Sequence, residues 1–125
     1  MTAPEGGEAA AHGGIAPGTL LCALFDIQDG GGRECTVGVG EAAVRVLLLR
    51  RGGDVWAYLN RCPHFSLPLN YEPDLFWTYD AASVMCAHHS AMFRFEDGVC
   101  YDGPCLGSAL AAVAVRVDGL MVFSI

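Results

Sequence analysis

The chain has 125 residues, with seven Arg and no Lys against 14 Asp and Glu, for a formal net charge of −7. That length suits one domain rather than two, and the lack of any basic run argues against nucleic acid or an anionic membrane surface as a partner. No apolar run reaches the ~18 residues that a membrane-crossing helix needs. The acidic surface serves solubility, and it also suits steered encounter with a basic protein partner.

Residues 1–17 are rich in Ala, Gly and Glu and lack periodic apolar positions. They read as a disordered arm in which His12 is a solvated side chain. The stretch has neither the basic nor the apolar region of a secretory signal. We therefore expect a cytoplasmic, reducing setting, where Cys serves as a ligand more often than in a disulfide.

Residues 18–125 read as a single domain. Leu20–Phe25 is a short apolar segment closed by the Gly30-Gly31-Gly32 turn signal. Cys35–Val39 is a second strand, and Val44–Arg50 a third whose near-continuous apolar run predicts burial on both faces. Arg50–Asp54 is a hairpin turn, and Val55–Leu59 is the returning strand that delivers the chain into Asn60-Arg61-Cys62. The stretch Phe65–Ser83 is irregular, punctuated by Pro68, Asn70, Pro73, Asp74 and Asp80. Val84-Met85, Ala91–Phe95 and Val99–Tyr101 are short strands, and Leu110–Val117 with Leu120–Ile125 forms a last hairpin. Ser108–Val115 is Ala-rich and ambiguous between helix and strand. Recurrent short strands with turn signals between them predict an all-β antiparallel sandwich or small barrel.

The chemistry concentrates at about residues 60–108. Cys62-Pro63-His64 is followed, after a 21-residue spacer, by Cys86-Ala87-His88-His89. In an extended loop, Cys62 and His64 share a face, because alternate side chains do. Pro63 between them stiffens the loop. Cys86 and His89 lie in a Cys-x-x-His turn that can close on the same centre. Two thiolates and two imidazoles can hold an iron–sulfur cluster in which His replaces Cys on one iron, or a tetrahedral zinc. Zinc is the weaker fit, because structural zinc sites draw on Cys pairs and more widely spaced His pairs.

These motifs, together with Ser90-Ala91-Met92-Phe93 and Gly103-Pro104-Cys105, resemble those of the Rieske family, and specifically of its small soluble ferredoxins. The resemblance implies a Rieske-like antiparallel fold whose cluster-binding subdomain is made of two loops. It implies a 2Fe-2S cluster with Cys62 and Cys86 on the buried iron and His64 and His89 on the outer one. Gly103-Pro104 would form the loop that covers it. The spacer is longer than the family's usual one, and the excess is assigned to an excursion over Tyr71–Asp80.

Family members that oxidise quinols carry a disulfide between the two loops, at positions filled here by Leu67 and His88. They also carry a Ser and a Tyr that donate to the cluster and to a Cys sulfur; Ala91 and Phe93 stand there and donate nothing. Fewer hydrogen bonds to sulfur place the expected potential near the low end of the Rieske range, about −150 mV. His88 is expected to point away from the centre. Cys22 and Cys35 are expected to pack as small hydrophobes, as are Cys100 and Cys105, although the last two could approach one another.

The resemblance implies no catalytic residue, because such a cluster moves one electron and makes no substrate bond. A mononuclear oxygenase iron needs two more His and a carboxylate, and only His12 and His88 remain. The expected role is one-electron transfer from a flavin-dependent reductase to an oxygenase-type acceptor. The alternative is an accessory subunit of a larger oxidoreductase, such as the Rieske-like small subunit of a nitrite reductase. A redox or iron sensor ranks last, because no output surface is legible.

Overall fold

The computed structural model describes residues 15–63 and 67–125. It is built almost wholly of strands in three small antiparallel sheets, as the all-β expectation requires. In chain order the strands are β1 (Leu20–Ala23), β2 (Gly32–Val37), β3 (Val44–Arg51), β4 (Asp54–Leu59), β5 (Trp77–Tyr79), β6 (Ser83–Met85), β7 (Met92–Arg94), β8 (Cys100–Asp102), β9 (Ala112–Val113), β10 (Val115–Asp118) and β11 (Met121–Ser124). One sheet runs β1-β11-β10, the second β2-β3-β4-β9 and the third β5-β6-β7-β8. No helix among the described residues is long and apolar enough to cross a membrane.

Strand β3 joins two cores. Val46, Leu47, Leu48 and Leu49 are all fully buried, and alternate side chains leave a strand on opposite faces. Leu47 and Leu49 enter a core with Tyr58, Leu69, Val84, Phe93, Phe95 and Cys62. Val46 and Leu48 enter the other, with Ile15, Ile27, Val113 and Val122. The apolar run that predicted two-sided burial thus separates the core beneath the third sheet from the core that closes the rest of the domain.

Two elements differ from expectation, and one ambiguous stretch is resolved. The described end of the residue 1–17 arm is packed: Ile15 is fully buried, and the Ala16 carbonyl accepts from the Thr19 and Ser124 hydroxyls. An isolated Ile with a whole core face to cover is enough to draw those residues in; residues 1–14 lie outside the described residues. The Ala-rich Ser108–Val115 stretch is extended: Ala109 bridges Val99, and β9 pairs with β4. The irregular middle section contains β5, which pairs with β6 through Trp77–Met85, Thr78–Val84 and Tyr79–Ser83. This part of the spacer therefore builds an edge strand on the third sheet, and the Asp74 carboxylate accepts from the Glu34 N–H at 2.9 Å.

Candidate metal centre

Strand β4 ends where Asn60 becomes a buried polar hub. Its backbone N–H donates to Arg45 O, and its amide donates to Glu34 (2.7 Å) and to Asn70 (2.9 Å). Its side-chain oxygen accepts the Leu69 N–H at 2.8 Å. Both ends of the first loop are thereby fixed on one side chain. Cys62 N–H donates to Leu67 O, and this bond closes the loop on itself. His64 lies outside the described residues.

The second loop turns between β6 and β7. Cys86 N–H donates to Ala91 O, Ser90 N–H donates to Cys86 O, and Ser90 sits at φ +61°. Ala87 N–H donates to Leu69 O and stitches this loop to the first. A third loop, after β8, lies over both. Gly103 has φ +104°, and a Cβ there would stand 2.8 Å from Ala91 Cα, so only Gly allows this approach.

The loops bring Cys62, Cys86 and His89 together, with one ligand atom from each within 4.8 Å of the others. Both thiols are buried, and His89 is half-buried. His89 Nε2 lies 3.2 Å from Cys62 Sγ. Burial pushes the Cys86 thiol up to about 11, and the neighbouring Cys62 sulfur adds to the rise. The backbone N–H groups of His88 and His89 bond its sulfur and pull the other way. Two buried sulfurs beside an imidazole suit a cationic iron centre, which would deprotonate a coordinating thiol outright. The donor set fits a 2Fe-2S cluster with mixed Cys and His ligation.

His88 behaves as expected. Its ring leaves the centre and packs edge-on against Tyr71 at 4.4 Å, with its Nε2 buried and unbonded. Cys22 and Cys35 are half-buried; burial pushes Cys22 up to about 11, and the Cys35 thiol donates to Leu21 O. None of the six Cys is in a disulfide. Cys100 turns to its own loop and donates to Asp102 O at 3.2 Å. Cys105 does not meet it: its sulfur lies 3.6 Å from Cys62 Sγ and 3.5 Å from His89 Nε2. Sequence reasoning missed this thiol at the centre, and its only signal was a Cys inside the covering loop.

Residues 19–118 match the Rieske 2Fe-2S domain model, and the chain belongs to that family. The family's cofactor is a 2Fe-2S cluster. Among curated proteins, human apoptosis-inducing factor 3 is 31% identical over 103 residues, which is 82% of this chain and 15% of that protein. The mouse protein of the same name is 31% identical over 88 residues, 70% of this chain and 13% of its own length. The chain thus spans about one-seventh of these relatives. In fold it is similar to the ferredoxin of carbazole 1,9a-dioxygenase from Nocardioides aromaticivorans IC177, with TM-score 0.69, 21% identity, and 87% of this chain and 97% of that one covered. A chain from a complex of reduced oxygenase and oxidised ferredoxin in carbazole 1,9a-dioxygenase matches at TM-score 0.67 and 26% identity, over 84% of this chain and 89% of that one.

Proposed function

We propose that residues 18–125 form a one-electron carrier whose 2Fe-2S cluster is held by Cys62, His64, Cys86 and His89. The observation that carries this reading is the convergence of Cys62, Cys86 and His89 from two loops tied together through Asn60 and Leu69. When bound, such a cluster takes up and releases a single electron.

The protein's part is to hold that site in one geometry. Cys62 and Cys86, shielded by Phe93 and Leu69, fix the inner end away from water. The N–H groups of His88 and His89 stabilise negative charge on the Cys86 sulfur. His89 is half-buried, and we assign the partner's approach to its side of the centre. Leu67 and Tyr71 are exposed on the loop after β4 and Leu106 on the loop after β8, and Arg61, Glu72 and Asp102 are exposed on or beside the same loops. An apolar rim with acidic surroundings suits a partner face that is apolar at its centre and basic at its edge.

The likeness along nearly the whole of a dioxygenase ferredoxin supports an oxygenase-type acceptor. We assign the donor to a flavin-dependent reductase, and the carrier to the cytoplasm. The test is stopped-flow mixing of the reduced protein with an oxygenase component of this class. The reading predicts rapid single-electron reoxidation that slows as salt is added. Reoxidation no faster than by buffer alone, across oxygenases of this class, would contradict it.

A further inference from the structure

We propose that the Cys105 thiol is a hydrogen-bond donor to the Cys62 ligand sulfur and raises the reduction potential of the centre. The inference rests on the cluster reading above and extends it to a residue outside the ligand set.

Cys105 is buried, 4% exposed, on the loop that covers the site. Its position is constrained from both sides. Gly103 lies against Ala91, and Cys105 O accepts the Ser108 N–H at 2.8 Å. Its sulfur stands 3.6 Å from Cys62 Sγ, within reach of a sulfur–sulfur hydrogen bond. Either thiol could donate in a metal-free pair. A metal-bound Cys62 is a thiolate with no proton, so in a hydrogen bond between these two sulfurs the S–H of Cys105 is the donor. A hydrogen bond to a ligand sulfur favours the more negative, reduced state and so raises the potential.

Several described neighbours offer no donor of their own. Ala91 and Phe93 hold no side-chain donor. Pro104 has no N–H. Leu106 is apolar and 69% exposed. The Cys100 thiol is engaged with Asp102 O. Cys105 is thus a positioning residue that acts through Cys62, approaching from the covering loop.

The test compares wild type, Cys105→Ala and Cys105→Ser after full loading, verified by iron and sulfide content. Each is examined by redox titration and by EPR. The proposal predicts that Cys105→Ala keeps the wild-type g values and shifts the midpoint downward, and that Cys105→Ser holds it at the wild-type value or above. An unchanged midpoint in Cys105→Ala would reduce Cys105 to packing and overturn the proposal. Altered g values would make it a ligand and overturn it equally. If Cys105→Ala does not load, Cys105→Ser decides: a midpoint at or above wild type supports the donor role, and one below it refutes that role. A wild-type protein without the cluster signal would instead overturn the underlying reading, so the two failures are distinct.

Discussion

Tyr58 shows how one hydroxyl supports the site from below. It donates to Phe95 O at 2.5 Å, and its ring fills the space where a Cβ on Gly98 would meet it at 2.7 Å. Tyr58→Phe leaves that carbonyl buried and unpaired, at a cost of about 1–2 kcal/mol in urea unfolding. Burial, with Asp97 and Glu96 adding to it, holds the Tyr58 pKa above the ordinary tyrosine value. The folded protein therefore keeps a proton that the unfolded chain releases. The contribution is whole below the usual tyrosine range, about 10, and is lost as pH rises beyond it. Wild type should thus lose stability in alkali faster than Tyr58→Phe, as parallel denaturation at rising pH would reveal. Gly103→Ala combines a φ of +104° with the 2.8 Å approach to Ala91 Cα. It should cost about 1–3 kcal/mol and speed bleaching of the bound cluster, followed by visible absorbance. At this scale the grouping of Cys62, Cys86 and His89 was legible, because the motif spacing puts them in tight loops that face one another. Cys105 was not, because no local spacing tells that it folds onto a residue 43 positions away.

Strand β3 separates the two cores, and this gives a paired prediction. Leu47 and Leu48 are both fully buried but face opposite ways. Each Leu→Ala change should cost about 2–5 kcal/mol in chemical unfolding. Only Leu47→Ala opens a cavity in the core that holds Cys62 and Cys86. It should therefore broaden the cluster EPR signal, while Leu48→Ala leaves it unchanged. The apolar run made β3 readable from sequence, whereas β5 was hidden. Its three residues sit among Pro73, Asp74 and Asp80, which read as turn chemistry. The turn into β6 places Asp80 at φ +54° and Ala81 at φ +52°, positions where Gly or Asn would have advertised a hairpin. The strand forms because β6 offers an open edge, a tertiary fact with no local signature. Ile15 lay unread for a similar reason, since burial of one apolar residue in a Gly-rich stretch depends on a core built elsewhere.

Across the whole molecule, three sheets present one end where loops from β4, β6 and β8 meet, and the chain carries a net charge of −7. That charge should make association with a basic partner strongly salt-sensitive, because the Debye length falls to about 10 Å at 0.1 M salt. Stopped-flow rates should fall steeply with ionic strength while the midpoint potential stays nearly constant. That potential is expected near the low end of the Rieske range, about −150 mV, and a redox titration checks it. The most direct test of the account is EPR of the purified, dithionite-reduced protein, with iron and acid-labile sulfide assayed on the same sample. The account predicts two irons per chain and a signal whose average g lies below that of all-Cys plant-type clusters. A silent spectrum with a single zinc, or with no metal, would contradict it.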